Sequence, residues 1–436
     1  MAKYRFQIQN YHAIEDASIL IDGITVLAGI NGCGKSTLSR WLYYVVNTIS
    51  RYDEIQKKYL IDSLIAEVEK ICRFFRATDY FSKYRAYIMS FSRLLKIESN
   101  FEEELSEIYT SFSLQIENDL SQYLNDAPPM ILRRAYNFIL REEADDSPER
   151  LVTQYVTKLN SIFQDNITLY HNSISEKNIV SLADTIKNEF EEKDRMPNNL
   201  DLFEDGVELF ESGSFTEPLM LNNAIYIDTP MALSEHANPY GGSIWGRFRN
   251  LLDNANDTSC INVDTKSILQ IIRNIIRGNI KLEEDDLGFS RELHYVREDG
   301  LDIKIEDTAT GIKSFAYILR LVENCWLNDG TILMIDEPEA HLHPQWVVEF
   351  ARILVLIRKY LGVKILLASH DPDMISAIHD MTSYYKMESE TNFYVAKETD
   401  MGSGKYAFQW LGHNIAPIFD SFNMAMVKIS DFSNDR

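Results

Sequence analysis

Gly29-Ile30-Asn31-Gly32-Cys33-Gly34-Lys35-Ser36-Thr37 is the stretch that decides how this chain is read. It fits the pattern G-x-x-x-x-G-K-[ST], the Walker A motif or P-loop. Glycines let backbone N–H groups wrap closely around phosphates, and the helix that follows aims its N-terminus at the anion. The flanks agree with this geometry. Ile24 to Ala28 reads as a buried strand, and Thr37 to Val46 as a helix. The spacing therefore predicts that Asn31, Gly32, Cys33, Gly34, Lys35, Ser36 and Thr37 cradle a nucleotide, ATP in the first instance. Lys35 reaches the β- and γ-phosphates and the Ser36 hydroxyl ligates Mg2+ in that arrangement. Cys33 serves there as a small residue.

Two further buried strands end in functional side chains. Thr331-Ile-Leu-Met-Ile-Asp336-Glu337-Pro338 delivers two carboxylates at a strand's C-terminal end, the edge where ligands of open α/β sheets bind. Asp336 suits Mg2+ from an outer shell. Glu337 suits polarising an attacking water, because hydrolysis needs an acceptor near the γ-phosphate. Lys364-Ile-Leu-Leu-Ala-Ser-His370 is the second such strand, closed by a histidine. Upstream, Asp307-Thr-Ala-Thr-Gly311-Ile-Lys-Ser-Phe315 precedes an apolar helix running through Leu321.

Asp336-Glu-Pro-Glu-Ala-His-Leu-His-Pro344 resembles the D-E-P-E-x-x-L-H-P signature of ABC-type ATPases in the RecF-like and OLD-like group. The resemblance covers residues 1–49 and about 224–372. It implies an α/β fold, a P-loop ABC-type ATPase head with an inserted helical subdomain, working as a homodimer. Ala340 to His343 then correspond to the D-loop, which reaches across the dimer. His370 corresponds to the switch histidine that contacts the γ-phosphate. Gly311 lies in a degenerate signature motif whose helix N-terminus meets the other subunit's γ-phosphate. Ala309 stands where serine is usual, with Thr308 or Thr310 as the alternative hydroxyl. Ala224 to Pro230 resembles the segment that follows the insertion, with Asp228 near the nucleotide. No glutamine stands out for the Q-loop. Tyr11 and His12 are candidates to stack on adenine, with core packing of Tyr11 as the alternative. Lys313 and Arg320 either touch a partner or are solvated.

The chain divides into three stretches: residues 1–49 as the first part of the head, 50–214 as a helical insertion, and 215–436 as the rest of the head. Helical spacing is clear in Ile61, Leu64, Ile65, Val68 and Ile71, and again in Leu105, Ile108, Tyr109, Phe112 and Leu114. A third helix spans about Pro129 to Leu140, and after a break at Asp146-Ser147 another starts at Pro148. No long heptad array appears, which argues against an extended coiled-coil arm. Ser267 to Ile276 reads as a buried helix. Tyr384 to Met387 and Asn392 to Ala396 read as short strands, followed by an amphipathic tail near Ile415 to Met426.

Cys33, Cys72, Cys260 and Cys325 are scattered, with no CxxC pair, so neither a disulfide nor a zinc site is expected. No apolar run is long enough to span a bilayer and the N-terminus lacks a secretion signal, so the expected location is the cytoplasm. A net charge of −23 disfavours generic polyanion binding. The stretch after His370 is too short for the TOPRIM nuclease that some relatives carry. What remains is similar to the stand-alone ATPase subunits of bacterial anti-phage systems such as Septu and PARIS. That resemblance implies a separate protein effector such as a nuclease. The alternative is a RecF-like repair or recombination ATPase acting on DNA.

Overall fold

Continuous apolar runs form strands only where both sheet faces are covered, and three such runs make the centre of this molecule. The computed structural model describes residues 2–76, 80–97, 99–125, 127–140, 147–228, 244–256, 260–284 and 291–419. Its main sheet has ten strands. The parallel part runs Asn223–Ile227, Thr331–Asp336, Lys364–Ser369, Ile24–Ala28, Thr391–Glu398. Tyr406–Gly412 joins antiparallel to the last of these, then come Ile14–Ile21, Tyr4–Tyr11, Asn199–Glu204 and Val207–Glu208. Register pairs Ser369 with Ala28 and Asp336 with Ala368, so three strand ends finish level with one another.

Alternation along those strands sends side chains to two helical layers. Ile225, Leu333, Ile335, Ile365 and Leu367 share one core with helices Val263–Ile276, Thr310–Glu323, Pro344–Leu361 and Pro372–Tyr384. The P-loop helix, Lys35–Ile49, packs against Asn223–Ile227 and Thr331–Asp336, with Tyr43 and Tyr226 in ring contact at 5.8 Å. Helix Val263–Ile276 buries one face only. Ile268, Leu269, Ile272 and Ile276 are buried, while Ile271 and Ile275 are half-buried, so it is amphipathic rather than enclosed.

The chain forms two compact units: residues Met1–Ser50 with Ile179–Arg436, and Arg51–Asn178. The second is all helix, built from Tyr52–Phe74, Phe81–Leu94, Phe101–Asn125, Pro129–Ala135 and Pro148–Glu176. Its core holds Ile61, Leu64, Val68, Ile71, Leu105, Tyr109 and Phe112, and Tyr109 stacks on Phe163 at 3.7 Å. Leu114 differs from expectation, being 55% exposed. Ser147 caps the helix that begins at Pro148, accepting from Arg150 N at 3.3 Å. Asp146 lies outside the described residues.

The helical unit, expected over 50–214, ends earlier, at Asn178. Helix Ile179–Phe190 and the strands from Asn199 onward belong to the first unit. The reason is a long-range pairing, Phe6 with Leu202 and Ile8 with Leu200, that no local pattern announces.

Two other expectations are corrected. Cys260 and Cys325 form a disulfide across Cα atoms 5.8 Å apart, joining positions 65 residues distant in sequence. Spacing could not reveal it, because tertiary proximity alone sets which thiols meet. Disulfides are uncommon in reducing compartments, so this bond sits poorly with the expected cytoplasmic location. Tyr384 to Met387 is not a strand either: Tyr384 ends a helix, and a turn follows. Asn392 to Ala396 does lie in a strand, Thr391–Glu398. Of the expected tail, residues 416–419 are helical and Ile418 is buried, while 420–426 lie outside the described residues. Among the described residues no helix is long and apolar enough to cross a membrane.

Candidate functional site

The P-loop turns because its glycines adopt backbone angles other residues avoid. Gly34 has φ 101°, and a Cβ there would meet Ile14 Cγ1 at 2.6 Å. Gly32, with φ 84°, faces open space. The helix beginning at Lys35 has Gly34 as its N-cap with no side-chain cap, which leaves its first N–H groups for a ligand. Lys35 is buried, and its Nζ donates to the carbonyls of Gly29 (2.8 Å) and Ile30 (3.0 Å). Cys33 is also buried, and burial pushes its thiol pKa up, as suits a small packing residue.

Asp336 is buried at the end of its strand, and burial raises its carboxyl above the ordinary range. Tyr226 OH donates to Oδ2 at 2.8 Å. The Ser36 and Ser39 hydroxyls also pull the pKa back down, yet Oδ1 is buried without a hydrogen-bond partner. The Asp336 carboxylate, with one oxygen orphaned, and the Ser36 hydroxyl that acts on it make an all-oxygen donor set, the kind Mg2+ takes. The residues present therefore fit that ion.

Glu337 follows in the left-handed region, φ 49°, held by its own N–H on the Ala368 carbonyl at 2.8 Å. Its side chain is 39% exposed. His370, 43% exposed, has Nδ1 3.8 Å from Glu337 Oε1 and 3.5 Å from Glu339 Oε1.

A cavity of about 380 Å³ opens here, lined by Asn31, Gly32, Gly34, Lys35, Ser36, Thr37 and Glu337. Cys33, Asp336, His370 and Gly311 are not in its lining. His370 is linked to it through Glu337. Gly311 is the second residue of helix Thr310–Glu323 and is buried, where an added Cβ would meet the Trp346 ring at 3.0 Å. Its glycine identity answers to that close packing. Ala309 is the N-cap of the helix and gives no side-chain cap. Thr308 is no substitute, since it is buried and its hydroxyl donates to Ile305 O at 2.7 Å. Thr310 is half-exposed.

Several lining residues escaped the sequence reading. Arg40 and Trp41 follow Thr37 at helical spacing, a signal that was present but unused. Glu192 and Asp194 come from a turn far along the chain and carried none. Burial acts to raise the Glu192 carboxyl, but the N–H groups of Asp194 and Lys193, the Tyr44 hydroxyl and Arg40 hold it below its ordinary value. His12 lines the cavity, 3.5 Å from Asp194, whereas Tyr11 packs edge-on against His12 and Trp41. Asp228 is half-buried, and Thr229 and Pro230 lie outside the described residues. Lys313 and Arg320 turn inward: Lys313 Nζ donates to Glu306 O at 2.6 Å, and Arg320 to Leu252 O at 2.9 Å and Glu323 at 3.0 Å.

Comparison with known proteins places the chain among nucleotide-binding relatives. An energy-coupling factor transporter ATP-binding protein, EcfA3 of Clostridium perfringens, is 32% identical over 98 residues, 22% of this chain and 34% of that protein. The Septu protein PtuA of Bacillus thuringiensis is 32% identical over 126 residues, 23% of this chain and 31% of that protein. The chain thus spans about a third of the length of the curated relatives it matches. The Smc head domain of Pyrococcus furiosus aligns over 99% of this chain and 100% of its own, at 10% identity and TM-score 0.35. The protein-family description that matches, over residues 3–375, is the AAA ATPase domain. By that match over most of its length the chain belongs to the AAA ATPase domain family.

Proposed function

We propose that the chain binds Mg-ATP at the P-loop and hydrolyses it as one half of a homodimer of heads, and that nucleotide state governs a separate protein effector, in anti-phage defence. The observation that carries the reading is convergence on one cavity: Lys35, Ser36 and Glu337 line it, and the Ser36 hydroxyl acts on the buried Asp336 carboxyl, whose Oδ1 is orphaned. Lys35 exchanges its loop carbonyls for β- and γ-phosphate oxygens, and the uncapped N–H groups of the loop and helix bind the same chain of phosphates. Ser36 and Asp336 would hold Mg2+, which would neutralise phosphate charge. Glu337 orients the attacking water and accepts its proton. His370 contacts the γ-phosphate.

The uncapped N-terminus at Ala309, with Gly311 behind it, meets the partner head's nucleotide, so each site is completed by the other subunit. ATP binding favours the closed pair because it binds that state and not the open one. The effector and the defence role are supported by the match to PtuA.

Glu337→Gln isolated from its native host in Mg-ATP tests both halves. We expect a variant that binds ATP, turns over about 10²–10⁴-fold more slowly, and retains a stoichiometric protein partner. Normal turnover would remove Glu337 from its role. Recovery of DNA with repair factors and no effector would replace defence with chromosome maintenance.

A further inference from the structure

The third carboxylate of the Asp336-Glu337-Pro338-Glu339 run takes no part in the chemistry described so far. Glu339 is nonetheless the more deeply placed acid, its side chain 6% exposed against 39% for Glu337. Three groups from the neighbouring strand end converge on one of its oxygens. Oε1 accepts from Ser369 Oγ at 2.9 Å and from the His370 backbone N–H at 3.1 Å, and lies 3.5 Å from His370 Nδ1. Ser369 Oγ in turn accepts from Asp371 N at 3.1 Å, so the hydroxyl hydrogen is committed to Glu339. Oε2 is buried without a partner. A second carboxylate, Glu337, approaches the same ring nitrogen at 3.8 Å.

An imidazole nitrogen facing two carboxylates must carry a proton, since a lone pair there would meet acceptor oxygens only. Nδ1 is that nitrogen, and Nε2 is the one left to face a ligand. Free neutral imidazole has no such constraint, so the surroundings select the form. We infer that Glu339 is a positioning residue for His370: it fixes the backbone at the strand end and holds the ring in the Nδ1-protonated form, with Nε2 directed outward. The inference deepens the proposed function, in that it rests on His370 contacting the γ-phosphate.

The arrangement has a direct consequence. With the proton held at Nδ1, Nε2 can donate to a phosphate oxygen only when the ring carries both protons.

The test is nitrogen-15 NMR of histidine-labelled full chain without nucleotide, at alkaline pH where rings are neutral, with His370 assigned from His370→Ala. Wild type is expected to show His370 protonated at Nδ1. Glu339→Ala is expected to move it to the Nε2-protonated form, while Glu339→Gln, which keeps an acceptor oxygen, retains Nδ1–H. An Nε2-protonated ring in wild type, or an unchanged ring in Glu339→Ala, would overturn the inference. If Glu339→Ala does not fold, the wild-type and Glu339→Gln spectra still decide it, since a wild-type ring protonated at Nε2 or a Glu339→Gln ring that leaves the Nδ1 form each contradicts it. ATP turnover separates the two claims. Both Glu339→Ala and His370→Ala should lower kcat about 10-fold or more with nucleotide affinity little changed. A shifted ring with full turnover in both variants leaves Glu339 as the positioning residue and removes His370 from the phosphate.

Discussion

Among the described helices that start without a side-chain cap, two carry the phosphate-loop and signature-like motifs, and they are unequal. The P-loop helix begins at Lys35 behind Gly34, and the signature-like helix at Thr310 behind Ala309. Helices that begin at Pro148, Val263, Pro344 and Pro372 instead carry capping side chains from Ser147, Asn262, His343 and Asp371. The P-loop terminus comes with its own cation, Lys35, and its own open glycine, Gly32. At the other, Gly311 is packed under Trp346, and Lys313 donates to Glu306 O and is not in the lining of the P-loop cavity. On the proposed function the first would be an anion site within a single chain, and the second a half-site whose helix dipole meets the partner's phosphate.

The sharpest way to break this contrast is Lys35→Ala. Removing the Lys35 cation should weaken ATP binding by at least roughly 30-fold, as truncating one partner of a buried charge pair costs about 2–5 kcal/mol. Fluorescent-nucleotide titration reads it. Retained affinity would mean that the loop's N–H groups suffice and that the two termini differ less than described.

At the far end of the signature-like helix, Cys325 is bonded to Cys260. Cys325→Ser, or reduction, should destabilise the chain by about 2–4 kcal/mol, as loss of a cross-link of this kind does. Denaturant melts with and without reductant check this. Coincident curves would show that the helix needs no such anchor.

Asp336 sharpens the P-loop site through pH. Its folded-state pKa is raised above 3.8 by burial, so the folded state holds the proton more tightly than the unfolded one. The sign is fixed: stability falls as pH rises from near 3.8 through the raised value. Asp336→Asn should therefore melt higher than wild type at neutral pH without nucleotide, and the gap should close on acidification. With Mg-ATP the order should reverse. Thermal melts across pH, with and without Mg-ATP, measure both.

The smallest effect is expected from Ala309→Ser. A hydroxyl at the N-cap should add about 0.5–2 kcal/mol to stability. If this terminus meets a partner's phosphate, turnover should rise as well. A gain in stability with unchanged turnover would mark the helix as structural.

Much of this was legible in the chain because the relevant signals are local. The buried strands Ile24–Ala28, Thr331–Asp336 and Lys364–Ser369 announce themselves as apolar runs, and the glycines of the P-loop by their spacing. Arg40 and Trp41 were also readable, one helical turn beyond Thr37. The carboxylates of Glu192 and Asp194 were not, for they reach the cavity from a turn on the far side of the helical unit in sequence. The boundary at Asn178 escaped for a related cause, as Asn199–Glu204 becomes part of the main sheet only by pairing with Tyr4–Tyr11.

By itself the sequence determined that a phosphate loop follows one buried strand, that two carboxylates end another, and that a histidine ends a third. Strand and loop chemistry depend on neighbours a few residues away, so a linear pattern suffices. Only the tertiary structure decided which chain ends lie level, that Cys260 meets Cys325, that Tyr226 holds Asp336, and that Glu339 faces His370. Those contacts depend on strand register and long-range packing, whose partners are separated by dozens to more than a hundred residues and leave no periodicity to read.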